Sequence, residues 1–234
     1  MNTFVGIFAK PIGWLLELLY DFIGSYGLAV VVFTVIVKLC LYPLYAKQIK
    51  STANMASMQP KIQAIQRKYA NDKETMNAKM MELYKEENFN PMGGCLPMII
   101  QMPIIFGIFA LLRNPMAYIS GTKMLMAIHE SFLWMMDLSQ PDQWILPIAA
   151  GITTFVSFTQ TQAQQGGMDP NNPSAGMMKM MKYVFPIMIV LMGRSFPSGL
   201  TIYWFLGQFI QIFFNLHLNK VRKKIREQNE RKKK

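Results

Sequence analysis

The hydrophobic positions gather into five long runs: Gly27 to Ala46, Leu96 to Leu112, Gln143 to Thr159, Met177 to Met192 and Pro197 to Leu216. Each is close to the ~17–25 residues a helix needs to cross ~30 Å of hydrocarbon. None contains Asp or Glu. A helix satisfies its own backbone polar groups, as a lipid-spanning segment must. The pattern predicts an all-α, polytopic membrane protein with five transmembrane helices.

Between the runs the period changes. In residues 3–22, Lys10, Glu17 and Asp21 share a stripe with Gly6 and Gly13, while Ile7, Phe8, Trp14, Leu18 and Phe22 cover the rest. This predicts a helix lying in the membrane interface, kinked or split at Pro11. Met55, Met58, Ile62, Ile65 and Tyr69 step by 3 and 4, as do Met76, Met80, Leu83 and Glu87, with Asn71-Asp72 as a turn between them. That is an antiparallel helical hairpin outside the membrane, with Pro60 in the first turn of its first helix. A polar loop at 113–142 holds a short apolar piece, Phe132 to Met136. TQAQQGGMDPNNPSAG reads as a flexible loop and GRSFPSG as a tight hairpin. The chain thus divides into an N-terminal interfacial helix (1–26), a first span (27–46), a hairpin (47–90), a core of four spans (91–216) and a basic tail (217–234). The first residues lack the basic head, apolar centre and small-residue cleavage site of a signal peptide.

Charge orients the spans. The 234 residues are 52% hydrophobic yet carry a net charge of +11. The hairpin region holds 8 basic and 5 acidic residues, the 161–182 loop has Lys179 and Lys182 against Asp169, and the tail holds 9 basic and 2 acidic residues. These alternate with the N-terminal segment, the 113–142 loop and the 193–199 turn, which together carry −1. Positive loops stay cytoplasmic. Five spans then place the N-terminus outside and the C-terminus inside.

Lys38 breaks the first run. It lies nine residues before Lys47, ~13 Å along a helix, too far for its stem to snorkel fully to the interface. A charge near the bilayer centre costs at least ~2.5–3.5 kcal/mol, so Lys38 should face the bundle interior or a wet cavity. The spans supply no carboxylate to pair with it, but they do supply Gln101, Thr153, Thr154, Ser157, Thr159, Gln160, Thr201, Gln208, Gln211 and Asn215. Such groups can line a hydrated groove that attracts acidic or polar peptide. An alternative is a small-anion transporter or channel with Lys38 as its binding site, which inverted repeats or further intramembrane charges would favour.

Other features are weaker. The tail residues Lys220, Arg222, Lys223, Lys224, Arg226, Arg231 and Lys232 suit either RNA phosphates or the anionic lipid bilayer surface. Tyr203 and Trp204 fit an interfacial aromatic belt, and Arg194 an interface anchor. Most of the 21 methionines are expected to pack or face lipid, a few giving a soft surface for varied substrates. Cys40 and Cys95 are expected as buried small hydrophobes. The two histidines, His129 and His217, lie far apart, and no phosphate-cradling, zinc-protease or nucleophile-elbow motif occurs. No metal, cofactor or enzymatic activity is expected.

The block NPMGGCLPMIIQMPIIFGIFALLR at 90–113 resembles the second-span signature of the YidC/Oxa/Albino membrane protein insertases. FPSGLTIYWF at 196–205 is similar to the entry of that family's last span, and YPLYAKQIKS, the span order, the hairpin and the basic tail also fit. Lys38 stands where the family usually places an arginine, keeping the charge but not the planar fork. Short members often begin with a lipidated cysteine, which is not seen here. The resemblance implies a bacterial plasma-membrane insertase and chaperone for nascent membrane proteins, acting alone or with the Sec translocon. It implies a groove lined by Lys38, Gln101, Thr154, Ser157, Trp204 and Gln208. It further implies a hairpin that recruits substrate or the signal recognition particle machinery, and a tail that touches the ribosome.

Overall fold

The computed structural model describes residues 2–87, 96–119, 121–164, 176 and 179–232. The described residues are almost entirely helical: α1 (Asn2–Ile23), α2 (Tyr26–Lys68), α3 (Lys73–Glu86), α4 (Leu96–Arg113), α5 (Thr122–Ala127), α6 (Ile145–Gln164), α7 (Phe185–Gly193) and α8 (Ser198–Lys232). A single π-turn, Met180–Val184, leads into α7, with the Phe185 N–H reaching back to the Met180 carbonyl.

Tertiary contacts fix the helix directions. Along α2 and α8, the Tyr26 ring lies beside Gly199 and Lys38 beside Gly207, and the Tyr45 and Phe214 rings meet at a tilt. These two helices therefore run the same way. Thr154 pairs with Trp204 and Thr161 with Asn215, so α6 runs that way too. Gln101 meets Tyr203 and Phe109 meets Phe196, which sets α4 antiparallel to α8. Phe155 against Tyr183 and Pro147 against Gly193 set α7 antiparallel to α6. The stretches Tyr26–Ala46 and Ser198–Val221 are long and apolar enough to cross a membrane, and Gln101–Arg113 and Met180–Gly193 are shorter apolar segments.

The core concentrates at one end of the bundle. Tyr26, Val30 and Phe33 of α2, Ile108, Leu111 and Leu112 of α4, and Leu200, Ile202 and Tyr203 of α8 meet Ile119, Met124, Ile128, Met135 and Leu138 of the 113–142 loop. That loop is a folded cap. Glu130 accepts hydrogen bonds from the Tyr20 hydroxyl (2.6 Å) and the Tyr26 N–H (2.8 Å), placing a carboxylate at the start of α2, where the helix dipole favours it. Asp142 accepts from the N–H groups of Trp144, Ile145 and Leu146 and so caps α6. Ser198 donates from its N–H and its hydroxyl to the Gln140 carbonyl, tying α8 to the cap.

Several expectations shift. Pro11 does not split α1, which runs unbroken from Asn2 to Ile23. Its Ala9 and Leu16 are buried, while Ile7, Trp14, Leu18 and Phe22 form an exposed apolar face. The boundary between first span and hairpin at 46/47 falls inside α2, and Pro60 lies well within that helix, not in its first turn. Beyond Ala46, Met58 and Ile62 pack against Leu83 of α3, with Ile65, Met80 and Tyr84 around them. The Asn71-Asp72 turn is present, with Asp72 capping α3 through the Thr75 N–H at 3.0 Å. Likewise α8 continues through 216/217 into the basic tail. Cys40 is exposed, not buried; an apolar run in a membrane bundle does not distinguish the lipid face from the core. Cys95 and most of the 161–176 loop lie outside the described residues.

Candidate functional site

Lys38 projects from the Tyr26–Ala46 stretch of α2 on the face that also carries Thr34 and Tyr45. It is 3% exposed. Thr34 returns its hydroxyl to the Val30 carbonyl at 2.7 Å and offers Lys38 no competing charge. On the facing helix the position opposite is Gly207, where a Cβ would lie 3.2 Å from the lysine Cε and 3.8 Å from Nζ. The glycine makes room for the lysine stem. The Tyr45 ring centroid is 5.7 Å from Nζ, within cation–π range. Among the described residues no carboxylate forms an ion pair with Lys38.

Two adjacent faces of α8 organise the remaining groups. One carries Tyr203 and Gly207 toward α2 and α4. Tyr203 is 1% exposed, its ring 6.1 Å from Phe33, and its hydroxyl accepts from the Gln101 amide. The other carries Trp204, Gln211 and Asn215 toward α6. Trp204 Nε1 donates to Thr154 Oγ1 at 2.9 Å, and Thr154 passes its own hydrogen to the Ala150 carbonyl at 2.6 Å. Asn215 Nδ2 donates to the Ser157 carbonyl (3.4 Å) and to Thr161 Oγ1 (3.3 Å), and Gln211 Nε2 donates to Asn215 Oδ1 (3.2 Å).

The groove set predicted from sequence is thus brought together unevenly. Lys38, Gln101, Thr154, Ser157 and Trp204 all meet α8 or lie on it, in two connected strips. Trp204 turns inward to Thr154, which an aromatic belt would not require. Gln208 is half-buried beside Gly207, and no hydrogen bond joins it to the others among the described residues. Tyr45 and Gly207 were not anticipated. Their signals were present: Tyr45 is seven residues, two helical turns, from Lys38, and a mid-span glycine, costing about 1 kcal/mol against alanine in a helix, marks close approach between helices.

Polar capacity in the bundle exceeds its internal pairing. Among the described residues, Gln101 Oε1, Thr159 Oγ1, Gln160 Oε1 and Gln211 Oε1 are occluded with no protein hydrogen-bond partner, as are both amide atoms of Gln66 in the hairpin. A buried polar group left dry and unpaired costs about 1–3 kcal/mol, so these atoms are suited to bound water. Of the tail residues, Lys220 and Lys223 are exposed. The side chains of Arg222, Lys224, Arg226, Arg231 and Lys232 lie outside the described residues.

The family model of the 60Kd inner membrane protein matches residues 18–227. The chain belongs to the YidC/Oxa/Albino family of membrane proteins. Family relatives include a protein of Fusobacterium nucleatum named membrane protein insertase YidC, 37% identical over 91% of this chain and 95% of its own length. Another, from Listeria monocytogenes, named membrane protein insertase YidC 1, is 39% identical over 93% of this chain and 72% of its own length. Longer YidC relatives exist: the chain spans 37% of the one from Citrifermentans bemidjiense, at 37% identity. Among solved structures, the crystal structure of an active YidC insertase with its first transmembrane domain resolved aligns with a TM-score of 0.63 at 29% identity, covering 91% of this chain and 46% of that one. The all-helical fold of this chain is the YidC fold.

Proposed function

We propose that this chain is a membrane protein insertase that receives nascent membrane proteins in a positively charged, polar groove. The observation that carries the reading is Lys38, buried in an apolar helix, seated against Gly207, and without a carboxylate partner among the described residues. The names of its relatives support the same activity. The helix directions support five spans, the first half of α2, α4, α6, the π-turn with α7, and the first two-thirds of α8. The charge distribution supports an extracytoplasmic N-terminus and cytoplasmic hairpin and tail.

An incoming segment enters from the cytoplasm and lipid. Its polar or acidic flank rests near Lys38, its peptide N–H groups facing the unpaired amide oxygens, while its apolar part leaves along α6 and α8. Burial of that part in lipid drives the step, at about 25 cal/mol per Å² of apolar surface, and the membrane potential aids acidic flanks. The basic tail suits ribosomal RNA, and the hairpin suits targeting machinery or the Sec translocon.

The test is insertion of a single-span reporter with an acidic flank, in cells depleted of their own insertase. Lys38→Ala, folded and abundant, should fail to support insertion, and Lys38→Arg should support it. Wild-type insertion by Lys38→Ala would defeat the groove-charge mechanism.

A further inference from the structure

The turn at Phe132–Met135 is built in a way that water does not reward. Leu133 is 74% exposed and Met136 88%, with Trp134 49% exposed between them. Leu133 also has φ of 55°, the left-handed region that L side chains adopt at a cost. Turns ordinarily place Gly, Asn or Asp there. A bulky apolar residue therefore occupies a strained backbone position while making little contact with its own protein.

The turn is also firmly held. Phe132 and Met135 exchange both backbone hydrogen bonds, at 2.9 and 3.0 Å. The Phe132 ring covers Gly27, where a Cβ would overlap it. Just upstream, Glu130 is clasped by Tyr20 and the start of α2. These contacts aim Leu133, Trp134 and Met136 outward as a fixed group.

Their depth follows from a second set of contacts. Trp134 Nε1 donates to Asp142 Oδ2 at 2.6 Å, and Asp142 is the cap of α6. Trp144, in the same first turn, carries the Arg194 guanidinium 4.0 Å from its ring centroid. Trp134, Trp144 and Arg194 therefore sit together at the ends of α6 and α7, a composition typical of the membrane–water boundary. From there the exposed apolar surface continues down α6 through Ile145, Ile148 and Ile152.

We infer that the Leu133–Met136 turn is a rigid wedge seated in the headgroup region of the outer leaflet, continuous with the lipid-facing surface of α6. Its occupant is the bilayer itself. The inference rests on the proposed spanning topology. Leucine in the left-handed position is explained because the apolar tip gains in lipid what the backbone loses.

Nitroxide labels at single cysteines provide the test, in a Cys40→Ser, Cys95→Ser background of the full chain reconstituted in phosphatidylcholine–phosphatidylglycerol vesicles. Labels at 133 and 136 should show a severalfold higher ratio of oxygen to nickel-chelate accessibility than a label at 123 on the same loop. A ratio at 133 equal to that at 123 overturns the wedge, as does exclusion of both quenchers, which would mean a protein partner or second copy covers the tip. A label at 39 reports on the underlying topology: if 39 lies in hydrocarbon and 133 in water, the wedge alone fails; if 39 is aqueous, the spanning reading and the wedge fail together. Leu133→Asn, which suits the backbone but not lipid, should keep the fold and lower the oxygen-to-nickel ratio at 136. An unchanged ratio there would show that Leu133 does not seat the turn.

Discussion

At the scale of the residue, Lys38 and Gly207 work as a pair. Alanine at 207 brings a Cβ to 3.2 Å from a flexible methylene, which can move by a few tenths of an ångström, and removes the ~1 kcal/mol helix penalty of glycine. Gly207→Ala should therefore insert the acidic-flanked reporter nearly as well as wild type. Gly207→Ile fills the lysine's space and should lower reporter insertion toward the level of Lys38→Ala, with the protein still in the membrane fraction by immunoblot. Equal activity of the alanine and isoleucine variants would separate Gly207 from the lysine. The lysine itself was legible in the sequence, because a formal charge in an acid-free apolar run has few places to go. Its glycine partner, 169 positions away in the chain, was not, since nothing local states which helices touch. Trp204 was legible only as an aromatic at a span edge; its inward hydrogen bond depends on Thr154 of another helix.

At the scale of the element, the hairpin of α2 and α3 is held by the packing of Met58 and Ile62 against Leu83, by its turn and by the Lys61–Glu87 ion pair. Asp72 accepts from the Thr75 hydroxyl and N–H, which holds its carboxyl below the ordinary value. A depressed carboxyl stabilises the fold above the unfolded value, and that contribution disappears as pH falls through the folded one. Lys61, bonded to Glu87, has its ammonium value raised, so its contribution is present below the unfolded lysine value and is lost as pH rises through the folded one. Amide protection factors across α3, taken relative to intrinsic exchange at each pH, should accordingly be largest between these limits and fall at both extremes. Asp72→Ala should remove the acid limb only. On the opposite side of the bundle, Glu130→Gln retains hydrogen bonding but removes the charge at the start of α2, and should cost about 1 kcal/mol, read as a lower unfolding midpoint in nanodiscs. The periodicity of Met58, Ile62 and Leu83 made the hairpin legible. The continuity of α2 past Pro60 was not, because proline's cost of ~3 kcal/mol in a helix interior is overridden here by the packing of Met58 and Ile62 against α3. The folded cap at 113–142 was also missed: its stabilising contacts come from Tyr20, Gly27 and Ser198, far away in sequence.

At the scale of the whole molecule, charge and apolar surface are divided between the two ends. The compact core and the Glu130 and Asp142 caps lie at one end, and the basic helix and hairpin at the other. Removing residues 220–234 deletes 9 basic residues and should weaken cosedimentation with ribosomes while leaving membrane integration intact. Wild-type binding should fall steeply with salt as counterions return to the RNA. Binding that is indifferent to both salt and truncation would assign the tail to lipid instead.

The unbroken course of α8 has a mechanical consequence. Its 35 residues make a rod ~50 Å long at the helical rise. One tip is pinned to the Gln140 carbonyl through Ser198, the shaft passes Lys38 at Gly207, and the far tip bears the cations of the tail. A load applied to the far tip is therefore carried along one continuous helix past the lysine, so a pull on that tip would reach the Lys38–Gly207 contact without any hinge between them.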